Sequence, residues 1–229
     1  MAEPLRIDIA PDERVSALAY AADARTRAGV TLMLAHGAGA GQESPFLVRF
    51  ATGLAARGID AVTFNFSYIE HGRRVPDANP KLEACYRAAL ATVRDHEKLG
   101  RNRLAIGGKS MGGRIASQVA AAGAAGVAAL VFLGYPLHPP GRPEELRVKH
   151  LPDIRSPMLF VQSSRDAFGT PGELRPILAK LEAPAELHVV EGGDHSFKVP
   201  KRTGIPQDAV YEAILDRIER WLRETPAGR

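Results

Sequence analysis

Ten residues constrain this chain more than any others: Leu104-Ala105-Ile106-Gly107-Gly108-Lys109-Ser110-Met111-Gly112-Gly113. A mostly apolar lead-in runs into Gly-x-Ser-x-Gly, and Arg114-Ile115-Ala116-Ser117-Gln118-Val119-Ala120 continues at helical spacing. That pattern describes a strand, a turn too tight for flanking side chains, and a helix. On such a joint Ser110 sits on a sharp elbow, its hydroxyl above the top of a sheet and the helix N-terminus beneath it. The position suits a nucleophile. Glycine and serine also fill ordinary turns, so the meaning of the pentapeptide depends on what the rest of the chain supplies.

The segments around it alternate between strand-like and helix-like, which predicts an α/β fold with a mainly parallel central sheet and helices on both faces. Val30–Ala35, Ala61–Phe66, Ala128–Leu133, Met158–Gln162 and Glu186–Val190 read as further buried strands. Ser44-Pro45 opens a helix striped by Phe46, Phe50 and Leu54, and Gly58 ends it. A loop rich in His, Arg and Pro follows Phe66, and then a helix with Leu82, Cys85, Tyr86, Ala89, Leu90 and Val93 on one side. Further helices are expected near Pro171–Leu181 and over Pro206–Arg223, the last facing inward with Val210, Ile214, Ile218 and Trp221. The first twenty residues suit one or two edge strands. With no repeat, low-complexity tract or linker, residues 1–229 read as a single domain.

Composition narrows the classes. The charged share is 24% and the formal net charge +4, with the basic residues spread among nearly as many acids. Lys198, Lys201 and Arg202 come closest to a patch, and no aromatics interleave with them to stack bases, so nucleic acid is not an expected partner. No apolar run reaches the roughly 18–20 residues of a membrane span. The N-terminal residues lack the basic flank and apolar core of a signal peptide, and Cys85 is the only cysteine. The expectation is a cytoplasmic protein without a membrane association.

A serine hydroxyl needs a base to take its proton, and the base needs a third group to orient it. On this architecture the order is serine, acid, histidine. Asp166 falls just past the strand Met158–Gln162, and His195 falls in the loop after the last strand. Both therefore lie at carboxyl ends of parallel strands, the edge where Ser110 emerges and where open α/β sheets bind ligands. Asp153 precedes its strand, at the wrong edge, and Asp194 adjoins His195, where adjacent side chains seldom meet productively. The loop His36-Gly37-Ala38-Gly39-Ala40-Gly41 offers backbone N–H groups to an oxyanion. Met111, directly after the serine, supplies one donor, and Ala38 or Gly39 the second. His36 is expected to shape that loop by hydrogen bonding.

The order His-Gly, Gly-x-Ser-x-Gly, Asp, His resembles the α/β-hydrolase superfamily over roughly residues 30 to 225. The short connections resemble its small, lidless, dienelactone-hydrolase-like members, although serine stands where dienelactone hydrolase has cysteine. His-Gly-Ala-Gly-Ala-Gly, Gly-Lys-Ser-Met-Gly-Gly-Arg and Gly134-Tyr135-Pro136-Leu137-His138-Pro139-Pro140-Gly141 are similar to a narrower group. It comprises uncharacterised bacterial hydrolases, a testis-expressed protein and a subunit of a nonspecific-lethal chromatin complex. The resemblance implies an α/β-hydrolase fold without a large lid, with Ser110, Asp166 and His195 as nucleophile, acid and base.

The stretch Pro136–Pro157 is too short for a lid domain, so an open or shallow pocket edged by Tyr68, Leu137 and His138 is expected. Lys109 and Arg114 flank the elbow, where they attract a substrate anion or act as solvated charges. No cofactor is implied, and no histidine pair has the spacing of a metal site. The expected substrate is a small acyl compound, with ester, thioester and peptide all open. The rival class is a non-catalytic scaffold of this fold that binds a protein partner. Filled nucleophile, acid and base positions favour the enzyme.

Overall fold

The computed structural model describes residues 2–226. Eight strands form one sheet: β1 (Glu3–Ala10), β2 (Glu13–Tyr20), β3 (Val30–Ala35), β4 (Asp60–Phe64), β5 (Arg103–Lys109), β6 (Val127–Leu133), β7 (Met158–Ser163) and β8 (Ala185–Val190). Their order across the sheet is β1-β2-β4-β3-β5-β6-β7-β8. The hairpin β1–β2 joins the edge in antiparallel fashion through β2 and β4, and every other neighbouring pair is parallel. The first twenty residues thus form two strands at one end of the sheet, of which β1 is the edge.

Alternation along each strand divides the core into two layers, because successive side chains point to opposite faces. Met33, Val62, Phe64, Ile106, Phe132 and Phe160 pack on one face with α3 (Asn79–Asp95), α4 (Met111–Ala121) and α5 (Pro171–Leu178). Leu32, Leu34, Ala61, Val131, Leu133 and Leu159 pack on the other with α1 (Pro45–Ala56) and α6 (Gln207–Glu224). The central strands bury both faces, which is why they read as unbroken apolar runs.

Beyond one-residue shifts at several element ends, three features differ from the sequence reading. β4 stops at Phe64: the Asn65 amide still donates to the Ser16 carbonyl, next in register on β2 (3.0 Å), but the Phe66 amide leaves the sheet for His36 Nε2 (3.1 Å). The loop that follows contains a single helical turn, α2 (Ser67–Glu70). α5 ends at Leu178, with Leu181 in the turn after it. Among the described residues, no helix is long and apolar enough to cross a membrane.

The chain reverses its direction of sheet growth at β3: β4 is laid on one side and β5 on the other. Loops leaving the carboxyl ends of β3 and β5 therefore diverge to opposite faces and leave a crevice between them. The glycine loop after Ala35 and the elbow after Lys109 flank that crevice.

Candidate active site

Ser110 joins β5 to α4 with φ 51° and ψ −116°, a conformation that side chains rarely adopt. Its amide donates to the Leu133 carbonyl at 3.0 Å, and its own carbonyl accepts from the Arg114 amide at 3.1 Å. Two glycines permit the turn by close approach. A Cβ on Gly108 would lie 2.4 Å from the Ala35 carbonyl oxygen, and one on Gly112 equally 2.4 Å from that oxygen and 2.7 Å from that of His36. β5, the elbow and the first turn of α4 thus lie against the end of β3, and any side chain at either glycine would separate them.

Ser110 Oγ lies 2.8 Å from His195 Nε2, and His195 Nδ1 lies 2.9 and 2.8 Å from the two Asp166 carboxylate oxygens. A carboxylate only accepts, so Nδ1 carries the proton and Nε2 accepts from the serine hydroxyl. Asp166 is buried, with further donors fixing it: the Phe168 amide to Oδ1 (2.8 Å) and Gln162 Nε2 to Oδ2 (3.0 Å). The Phe168 ring packs on the imidazole with centroids 4.2 Å apart. Asp194 is not a rival: its Oδ1 accepts from the Ser196 and Lys198 amides at 2.8 and 3.0 Å and shapes the loop that carries His195. Serine, imidazole and buried carboxylate form one hydrogen-bonded chain, an arrangement able to draw the hydroxyl proton onto Nε2.

His36 is buried, and its ring spans two loops. Its Nε2 accepts from the Phe66 amide, so Nδ1 donates to the Gly37 carbonyl at 2.8 Å. Burial holds the imidazole down at about 4, against the opposing bond to Gly37, and keeps it neutral. The glycine loop it ties down lies beside the elbow, where a Cβ on Gly37 would be 3.6 Å from that of Ser110. Ala38 and Met111 both line the cleft around Ser110. Gly39 lies outside that lining, and its backbone instead approaches the buried Tyr68 hydroxyl.

The expected pocket edge needs correcting. Tyr68, Leu137 and His138 are all buried and do not line the cleft. Tyr68 packs edge-on against the His36 ring behind the glycine loop. Leu137 fills the space beside Gly169, where a Cβ would lie 2.5 Å from its own. His138 Nδ1 donates to the Pro139 carbonyl (2.8 Å) and Nε2 lies 3.1 Å from Glu173 Oε1, closing the segment onto α5. Lys109 does line the cleft, but its Nζ donates to the His195 carbonyl at 2.6 Å. Desolvation brings that ammonium down to about 8, opposed by the charges of Asp166 and Asp194.

The cleft around Ser110 has a volume of about 860 Å³. Phe46 and Tyr211 from α1 and α6 wall one side, Leu82 and Arg114 from α3 and α4 the other, with Ser110, Met111 and Phe168 between them. Gln162, Phe168 and Arg147 are site residues that the sequence reading did not single out. Only Gln162 had a signal, as an amide within an otherwise apolar buried strand. Among the described residues, no group of three or more His, Cys, Asp or Glu side chains converges as metal ligands do.

A model of the alpha/beta hydrolase domain matches residues 28–223. The chain belongs to the alpha/beta hydrolase family. As a hydrolase-fold protein it is similar in structure to a lidless a/b serine hydrolase from Xanthomonas campestris, at 22% identity, covering 98% of this chain and 97% of that one with a TM-score of 0.75. Dienelactone hydrolase from Anabaena variabilis superposes with a TM-score of 0.78 at 17% identity, covering 98% of each chain. An alpha-beta serine hydrolase homologue from Coxiella burnetii gives 0.73 at 20% identity, covering 94% of this chain and 96% of its own. Among the described residues no lid domain covers the sheet edge, since only turns and a short 3-10 helix separate β6 from β7.

Proposed function

We propose that this alpha/beta hydrolase cleaves carboxylic esters or similar acyl bonds through a covalent acyl-serine. The observation that carries this reading is the unbroken chain Asp166–His195–Ser110, which opens into a cleft large enough for a small-molecule acyl substrate. Ser110 Oγ attacks the carbonyl carbon while His195 Nε2 takes its proton. Asp166 keeps Nδ1 protonated and stabilises the imidazolium that forms. The oxyanion is bound by the backbone N–H groups of Met111 and Ala38, each such donor contributing about 3–4 kcal/mol to the transition state. His195 then protonates the departing group, and water activated by the same imidazole releases the acid.

The names of the similar structures, a serine hydrolase and a dienelactone hydrolase, support an acyl substrate. The motifs around His36, Ser110 and Gly134 support kinship with the narrower group of testis-expressed and chromatin-complex hydrolase-like domains. Hydrolysis of short p-nitrophenyl esters tests the reading. Ser110→Ala is expected to lower kcat/KM by about 10⁶-fold while melting within a few degrees of the native chain. Unchanged turnover in that variant contradicts the mechanism. An inert native protein that binds partner proteins equally well with or without the serine hydroxyl supports a scaffold instead.

A further inference from the structure

The charge around Ser110 is lopsided. Five basic side chains line the cleft (Arg49, Lys109, Arg114, Arg147 and Lys198), against one carboxylate, Asp77. Arg49 is neutralised by Asp208 and Glu212, at 3.0 and 3.5 Å, and Lys109 is engaged by the His195 carbonyl. Asp77 directs Oδ1 to Arg73 at 2.7 Å, and its Oδ2 is buried. Arg114 and Arg147 differ from these. Among the described residues neither has a carboxylate within ion-pair distance; the nearby Glu83 is paired with Arg87 at 3.0 Å.

Both are nevertheless built into place. Arg114 lies one helical turn beyond Ser110, about 6 Å along the axis of α4, half-buried. Its guanidinium donates to the neutral acceptors Asn79 Oδ1 (3.1 Å) and Gln118 Oε1 (3.4 Å), which orient it without cancelling its charge. Arg147 is half-buried too, and its backbone is pinned on both sides: its amide to the Leu137 carbonyl at 2.8 Å and its carbonyl to the Tyr135 hydroxyl at 2.8 Å. The two are close enough to repel. Desolvation first, and then the charge of Arg147, hold the Arg114 guanidinium below its ordinary value. Two partly desolvated like charges lining one cleft repel, and an anion bound by both offsets that repulsion. A pair of guanidinium forks also matches the oxygens of a carboxylate or phosphoryl group.

We propose that Arg114 and Arg147 form an anion subsite of the Ser110 cleft, so that the substrate carries a carboxylate or phosphoryl group on one arm of its scissile bond. The opposite wall, with Phe46 and Tyr211, receives the apolar arm. The substrate class rests on the ester-hydrolase reading; the anion site itself does not.

Two measurements separate those claims. First, p-nitrophenyl hydrogen glutarate and neutral p-nitrophenyl hexanoate are compared as substrates. The ratio of their kcat/KM values is expected to favour the anionic ester, and to fall about tenfold in Arg114→Gln and in Arg147→Gln. The fall should appear chiefly in KM, and Arg114→Lys should recover part of it. Second, glutarate and inorganic phosphate are titrated calorimetrically into the Ser110→Ala protein and into the same protein with both arginines changed to glutamine. Binding of either anion that disappears in the double-arginine variant supports the subsite even when neither ester is cleaved, an outcome that removes the hydrolase reading alone. The comparison of the two anions tells which group the site prefers. Absence of binding by both anions, or an ester ratio unmoved by the arginine substitutions, overturns the subsite while leaving Ser110-dependent cleavage of the neutral ester untouched.

Discussion

Asp166 shows how much of the site depends on fixing single atoms. Its two oxygens receive the His195 imidazole, the Phe168 amide and the Gln162 side chain, so the carboxylate has no freedom to turn away. Gln162 is itself locked by the Tyr135 amide (2.8 Å) and the Gly169 carbonyl (2.7 Å). Replacing Asp166 by Asn keeps the volume but presents an amide that favours the wrong imidazole tautomer. The expected result is a fall in kcat of about 10³–10⁴-fold, read in steady-state ester kinetics, with little change in melting temperature. Ser110, Asp166 and His195 were legible in the sequence because each follows a strand, and strand ends in a parallel sheet gather at one edge. Tyr68, Leu137 and His138 carry no sequence signal that their segments fold inward, away from the cleft. Arg147 gave no local signal at all, because what sets its position is contact with Tyr135 and Leu137, ten or more residues away.

At the scale of elements, the decisive joint is β5, the elbow and α4 against the end of β3. Its geometry depends on backbone contacts that no side chain can enter. Gly112→Ala puts a methyl group 2.4 Å from the Ala35 carbonyl oxygen, and neither backbone can retreat without moving a central strand. The expected cost is about 3 kcal/mol or more, measured as a lower denaturation midpoint, with esterase activity lost in whatever fraction still folds. The strand core was readable from apolar runs between turn residues. The end of β4 was not, because the Phe66 amide donates to the His36 side chain, a partner thirty residues away in sequence. α2 escaped notice because one helical turn is too short to display a period.

For the whole molecule, the response to acid follows from one buried and two half-buried imidazoles. His36, His150 and His188 are all held below the ordinary histidine value by burial, reinforced by the charge of Arg114 for His150 and of Arg217 for His188. The unfolded chain therefore binds protons that the fold refuses, and stability rises with pH across that window. For His36 the window runs from 6.5 in the exposed side chain down to about 4 in the fold. Its contribution is complete above pH 6.5 and declines by about 3 kcal/mol as pH falls to 4. Denaturation midpoints recorded between pH 7 and pH 4 should drop steadily, and His36→Gln, which keeps a donor and an acceptor, should flatten the slope. An unchanged slope in that variant excludes His36 as the titrating group.

The same sheet that buries His36 presents Ser110, and acyl transfer at this site requires that serine to be chemically competent. The most direct measurement is intact-protein and peptide mass spectrometry after exposure to a fluorophosphonate. A single adduct on the peptide containing Ser110, formed in the native chain, slowed by Asp166→Asn and absent in Ser110→Ala, is the predicted result. A folded native chain that acquires no adduct, or one modified at a different residue, contradicts it.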